Sequence, residues 1–338
     1  MNRKPIKQWL SLTFLLTGAL LTLQAQSVDL QYAPQDGAMF DVVETVTQVT
    51  TVSGADPVTD VRERKSLVTV AAVSASNPDT ATSTPALTVE AVPDSTAYSN
   101  QVTIVSQSLT RDGDVIVSPV HAALGGLELT YHLDADGKLL AIAGHDGLGD
   151  AMAASLPDKL ANTLVKLVNS DTLLYQDTAS YEEVYGPFTE GSITPVADSV
   201  SAASQALPHG GSVPLYTVST IETDGEDKIR VSRAFNSDAA ALAEQFDGLD
   251  EAAILATKGT LEQTLPETYE SASVSGSETV LVQTSGALVE SRTFSLTSEW
   301  TLEAAAGETA VTHQIAEVRE FTATAVAVSD DSTTTPTP

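Results

Sequence analysis

The sequence predicts an α+β fold dominated by β-structure, a curved antiparallel sheet or half-barrel carrying about three short helices. Three observations lead to that prediction. Short runs rich in Val and Thr alternate apolar with polar positions and are separated by Gly, Asp, Asn and Pro. Asp-Gly or Ser-Gly pairs stand between several of these runs, at Asp136-Gly137, Asp224-Gly225 and Ser285-Gly286. No segment recurs at a fixed short period, which argues against a solenoid or propeller.

The elements follow in chain order. Arg3, Lys4 and Lys7 precede an apolar run from Trp9 to Leu23, then Gln24 and Ala25, with no acidic residue before Asp29. A positive start, a short apolar stretch and a small residue make a secretory signal peptide over residues 1–25, so cleavage is expected near Ala25. Ser11, Thr13, Thr17 and Gly18 interrupt the run, which falls short of the roughly 20 apolar residues of a membrane span. With 0 Cys in the chain there is no lipid-attachment site and no disulfide. The mature protein is therefore expected to be periplasmic or secreted, with no membrane anchor after signal cleavage.

Strands are expected near Val28–Tyr32, Met39–Val52, Val61–Val70, Leu87–Val92, Val102–Thr110 and Val115–Val117. A hairpin follows, in which Leu127, Leu129, Tyr131 and Leu133 alternate with polar residues and Asp136-Gly137 supplies a two-residue turn into Lys138–Ile142. Later, Leu215–Glu222 is expected to pair with Lys228–Phe235, and Val280–Thr284 to lead into a long strand. In that strand Phe294, Leu296, Trp300 and Leu302 share one face and Thr293, Ser295, Thr297, Glu299 and Thr301 the other, as in a sheet buried on one side. The chain returns over Thr309–Thr324. Helices are expected after Ser155 up to Asn169, over Asp238–Phe246 with Asn236 or Ser237 as cap, and over Asp250–Lys258. Residues 76–85 and 193–214 read as surface loops, and 329–338 as a disordered tail. Residues 26–328 then form one large β-rich domain, or two abutting units, 26–191 and 213–328.

The segments Gly37–Val42, LELTYHLDADGKLLAIAG and LPHGGSVPLYTVST resemble a class of uncharacterised exported bacterial proteins. In that class a sheet begins after a Gly, a strand pair carries a D-x-x-G turn, and a proline-led segment with a Gly opens the next sheet. The resemblance implies an open half-barrel like those of periplasmic lipoprotein carriers. It carries over no functional residue, and the aromatic expected after Gly-Gly-Ser is replaced by Val213-Pro214.

Charge excludes one large class of function. The formal net charge is −29, and losing the three basic residues of the signal peptide leaves 13 against 45 acidic ones, or −32. Such a surface repels nucleic acid, whose binding depends on Lys and Arg neutralising phosphates.

Candidate chemistry is sparse. His132, Asp134 and Asp136 lie on one strand near its turn, with His145-Asp146 after the partner strand, which makes them weak candidates for a metal site. The alternative places His132 and Asp134 on a solvated face and Asp136 in the turn. Read as a calcium loop the segment fails, because Ala143 stands where Glu is needed. His209-Gly210-Gly211-Ser212 is similar to an esterase oxyanion loop, but no G-x-S-x-G occurs in the chain. Gly144–Gly149 matches no phosphate-loop spacing and reads as a turn into a helix. Tyr175, Tyr181, Tyr185 and Phe188 cluster with Glu182 and Glu183 and line a pocket or anchor a long connection, the anchor being preferred.

These observations favour an exported noncatalytic protein, without cofactor, that binds an apolar small molecule or another exported protein, or serves as a structural module. Trp300, Phe294 and Leu296 are the candidate ligand-binding residues. The competing expectation is an extracytoplasmic hydrolase with an unrecognised site. An outer-membrane barrel is disfavoured by the missing aromatic girdles and the polar tail.

Overall fold

The computed structural model describes residues 28–30, 32–73, 92–93, 95–148, 150, 153, 157, 170–189, 192–193, 196–207, 211–246, 249–258, 265, 269–286, 288–304 and 309–327. The expected signal peptide, the expected loop over residues 76–85, residues 87–91, most of the expected helix to Asn169, His209 and the expected tail lie outside them.

One antiparallel sheet dominates the molecule. Its strands are β2 (Met39–Val52), β3 (Val58–Thr69), β4 (Tyr98–Arg111), β5 (Asp114–Val115), β6 (Glu128–Leu133), β7 (Leu139–Ala143), β9 (Val196–Ala206), β10 (Ser212–Thr223), β11 (Lys228–Asn236), β12 (Tyr269–Gln283), β13 (Leu288–Leu302) and β14 (Val311–Ala325). They run in the order β7-β6-β4-β3-β2-β14-β13-β12-β11-β10-β9, with β5 paired to β4. The sheet is curved and open, not closed into a barrel. β1 (Val28–Asp29) and β8 (Ser192–Ile193) form a separate two-stranded pair. The last strand, β14, lies between β2 and β13, so both halves of the chain enter one sheet.

Four helices are named among the described residues: α1 (Pro119–Leu124), α2 (Ser170–Tyr185), α3 (Ala239–Ala243) and α4 (Glu251–Lys258). Ser118 caps α1, with Pro119 preset for its first turn. The cap of α3 is Asp238, whose carboxylate accepts from the backbone N–H of Ala240 and Ala241, and not Asn236 or Ser237 as the sequence suggested. Asp250 caps α4 in the same way through Ala253 N–H at 2.7 Å. Both helices cover Tyr216 and Val218 of β10.

The expected hairpin over β6 and β7 is present, but its turn differs. Gly137 has φ +81° while Asp136 does not have positive φ. Gly137 N–H donates to the Asp134 carbonyl, and the Asp134 carboxylate accepts from the backbone of Asp136 and Lys138. This is a three-residue loop ending in a left-handed Gly, and it shifts the register between His132 and Leu133. A true two-residue turn with both positions at positive φ joins β4 to β5, at Asp112-Gly113.

Two expected loops or connections are regular structure. Residues 196–206, read as part of a surface loop, form edge strand β9, because pairing with β10 overrides the weak β-propensity of its Ala and Ser. The tyrosine-rich connection is the helix α2. Its residues Leu173, Asp177, Ser180, Tyr181, Val184 and Tyr185 recur at helical spacing, and a 3-10 turn, Gly186–Phe188, follows.

Helix α2 lies on the concave face. Val184 and Phe188 are 5% and 3% exposed and pack in one cluster with Val42, Leu133, Ile229, Val231, Val280, Val282, Val289 and Phe321 from six strands. Burying each such side chain contributes about 1.5–3 kcal/mol, so the helix is held by the sheet that wraps it.

Candidate functional site

Sheet register sets the chemistry under α2. Reading across β3, β2, β14, β13 and β12, the directly opposed residues are Arg64, Glu44, Phe321, Arg292 and Val280. The neighbouring row on the same face is Arg62, Val46, Arg319, Phe294, Glu278 and, on β11, Arg233. Five of the eight arginines of this acidic chain therefore stand on two adjacent rows.

Carboxylates from the helix answer four of them directly or through Glu278. Arg64 Nη1 donates to Asp177 Oδ1 at 2.6 Å, and His145 Nε2 meets Asp177 Oδ2 at 2.7 Å. Glu183 accepts from Arg292 Nη2 at 2.7 Å and from Arg319 Nη1 at 2.6 Å. Arg292 Nε also donates to Glu278 Oε1 at 2.7 Å, and Arg233 donates to the second oxygen of Glu278. Burial alone would raise the Asp177 carboxyl, but the His145 and Arg64 hydrogen bonds outweigh it and hold the group below the usual Asp range. Glu44 is the reverse: burial raises it above the usual Glu range, Arg64 opposes the shift, and Asp177 and Glu183 reinforce it.

Between α2 and the sheet lies a cavity of about 350 Å³. The sheet supplies Phe40, Val42, Val68, Val70, Val102, Val289 and Phe321 among its apolar lining, and the helix supplies Tyr181, Val184 and Tyr185. Tyr131 and Tyr181 meet edge to face at 5.8 Å, Tyr181 stacks on Tyr185 at 4.7 Å, and Tyr185 meets Phe321 at 5.9 Å. Tyr32 closes another side, its hydroxyl accepting from Asn100 Nδ2 at 2.9 Å and its pKa pushed up to about 12 by burial. The ring rests on Gly137, where a Cβ would overlap it. Tyr181 hydroxyl donates to the Gly137 carbonyl at 2.8 Å, so the hairpin turn fixes two cavity tyrosines.

Charged groups sit at two places in the lining. Glu44, Arg64 and Asp177 form one, and Asp227, Lys228 and Glu290 the other, where Lys228 and Glu290 pair at 2.7 Å with side chains 32% and 43% exposed. A second cavity of about 350 Å³ flanks α2 and shares Glu44, Ser180, Val184 and Phe321 with the first.

The residues singled out from sequence fall elsewhere. Trp300 is 4% exposed in a cluster with Leu207, Val213, Tyr269 and Val274, and Leu296 packs against that cluster. Trp300 stacks on His313 at 5.5 Å and 6°. Phe294 lies 5.6 Å from Phe235 and beneath the guanidinium groups of Arg292 and Arg319. None of the three lines the cavity between α2 and the sheet.

His132 is 7% exposed, not on a solvated face, and its Nδ1 is 3.1 Å from Ser99 Oγ, between the small neighbours Ser99 and Ala141. Asp134 is engaged in the hairpin turn, and among the described residues no group of three His, Asp or Glu is placed to hold a metal. His145 is separated from that turn and serves Asp177. Helical spacing from Leu173 to Tyr185 was the signal for the site; polar Asp177 and Ser180 on the inward face masked it.

No protein-family model and no curated protein matches the chain. Among solved structures, one of lipovitellin described for lipid–protein interactions is similar over 87% of this chain and 26% of that one, at 8% identity and a TM-score of 0.35. The chain thus spans about a quarter of that protein's length. An outer membrane channel from Pseudomonas putida F1 is similar over 87% of this chain and 97% of its own, at 8% identity and a TM-score of 0.15. OccK8 (OprE) of Pseudomonas aeruginosa gives 86% and 99%, at 6% identity and a TM-score of 0.14. At these scores none of the three bears on function.

Proposed function

We propose that the protein is an exported, noncatalytic binder that holds an apolar small molecule in the cavity between α2 and the concave face of the sheet. The observation that carries this reading is the lining itself. A space of about 350 Å³ with a continuous apolar and aromatic wall of Val, Leu, Phe and Tyr, beside charged groups gathered at two places, has the make-up of a ligand pocket, for which ~300–1,000 Å³ is usual. The ionised groups support a binding role over a catalytic one. Asp177 is committed to Arg64 and His145, and His145 Nδ1 is buried with no hydrogen-bond partner among the described residues, so no hydroxyl nucleophile is seated on it.

The test is binding of N-phenyl-1-naphthylamine, a neutral apolar fluorophore, to the mature protein. Saturable enhancement is expected, and Ala323→Trp, which fills the cavity from a partly exposed lining position, should abolish it with the thermal transition retained. Unchanged binding by that variant, or no binding by the parent, overturns the reading. Export is tested separately by intact mass, with the extracytoplasmic form expected to begin near Gln26.

A further inference from the structure

We infer that the ligand is a cationic amphiphile, an apolar chain carrying an amine or quaternary ammonium group, with the head seated between the Glu44 carboxylate and the ring wall of Phe321, Tyr185 and Tyr181. This rests on the apolar-ligand reading and narrows it to a chemical class.

The charge inventory of the cavity gives the sign. Its lining carries four carboxylates, Glu44, Asp177, Asp227 and Glu290, against two cations, Arg64 and Lys228. Both cations are already paired, Arg64 with Asp177 at 2.6 Å and Lys228 with Glu290 at 2.7 Å. An anionic head would find no free cation there and would face two further carboxylates. Glu44, by contrast, accepts no hydrogen bond from the described residues, although Arg64 is its direct neighbour across the strands. A cation beside Glu44 supplies the partner that the fold directs elsewhere.

The rings supply the second half of the recognition. Phe321 is the opposite cross-strand neighbour of Glu44, and Tyr185 and Tyr181 continue from it in contact. Aromatic faces carry negative electrostatic potential and attract cations, most strongly out of water, and they accept methylated ammonium groups that cannot donate hydrogen bonds. The apolar chain of the ligand then runs along Val42, Val68, Val102 and Val289. Burial raises Glu44 above its usual range, so an adjacent cation is bound more tightly as pH rises and Glu44 ionises.

The experiment is displacement of N-phenyl-1-naphthylamine from the mature protein by three probes of one chain length: dodecyltrimethylammonium, dodecanol and laurate, all below their micellar concentrations. Dodecyltrimethylammonium is expected to bind about tenfold or more tighter than laurate. Glu44→Gln should cost the cation about tenfold more than it costs dodecanol, measured against the fluorophore affinity of the variant itself. Glu182→Gln, an exposed carboxylate on the same helix, should change nothing, which separates the site from attraction to the acidic surface. Laurate binding as tightly as the cation, or equal loss from Glu44→Gln and Glu182→Gln, overturns the inference while the fluorophore still reports an apolar site. Failure of the fluorophore itself to bind overturns the underlying reading, and this inference with it.

Discussion

Glu44 and Arg64 are directly opposed on β2 and β3, and the Arg64 guanidinium turns to Asp177 of α2 at 2.6 Å. The pair that locks the helix to the sheet is thus made at the expense of the pair within the sheet. Asp177 and Arg64 side chains are 11% and 20% exposed, so their interaction is only partly screened.

Removing one partner should therefore cost more than removing both. Arg64→Met leaves Asp177 facing His145 alone and is expected to lower stability by about 3 kcal/mol, the lower end for a broken buried pair. The double variant Arg64→Met, Asp177→Leu should recover most of that loss. Urea unfolding of the two single variants and the double variant measures the coupling, and additive losses would show that the two side chains act independently.

The two carboxylates should give opposite responses to acid. Asp177 has a lowered folded pKa, so its stabilisation is complete above the unfolded value near ~3.9 and is lost as pH falls through the lower folded value. Glu44 has a raised folded pKa: ionised in both states at high pH, it costs stability, and the cost is relieved as pH falls through the raised value. Glu44→Gln should accordingly stabilise the ligand-free protein at pH 7 and show no gain below the unfolded Glu value of ~4.3. Thermal melts of both proteins across pH 3–8 check the crossing, with a pH-independent difference as the contrary result.

Gly137 joins the hairpin to the cavity. It has φ +81°, and a Cβ would overlap the Tyr32 ring. Gly137→Ala therefore combines a left-handed non-Gly residue with a displaced tyrosine, an expected cost of about 2–4 kcal/mol. Binding of the naphthylamine fluorophore should weaken in parallel, since Tyr32 lines the site. A variant that loses stability while binding normally would place Tyr32 outside the recognition surface.

Much of the sheet could be read from sequence because its long strands alternate cleanly: β2 was expected over the same residues it occupies, and the β13 face of Phe294, Leu296 and Trp300 is inward as expected. β9 and the first two thirds of β12 were illegible, being rich in small residues, Ala and Ser with Gly276, whose strand state is decided by partners. Gly276 is an example, since Phe235 covers it and a Cβ would overlap that ring and the Ser295 carbonyl. The cavity was hidden for another reason. Its inward helix face is half polar because it meets a row of arginines, so a search for apolar periodicity passes over it. Which residues meet across strands distant in sequence, such as Glu44, Phe321 and Arg292, depends on β14 lying next to β2, and no local signal encodes that pairing.

Trp300 separates support from binding. From sequence it is a candidate ligand-binding residue, yet it is 4% exposed, stacked on His313 and packed with Val274 and Tyr269. It lies three rows beyond the arginine row of Phe294, and it is absent from the lining of the cavity under α2. Trp300→Ala should then cost about 3–5 kcal/mol, as for a large aromatic removed from a packed interior. Because the cluster does not reach the cavity, the fraction of variant that remains folded should bind the naphthylamine fluorophore with parental affinity. Calorimetry gives the first quantity and titration well below the lowered transition temperature the second. Loss of binding with stability intact would mean that the ligand occupies the Trp300 end of the sheet and that the space beneath α2 is structural.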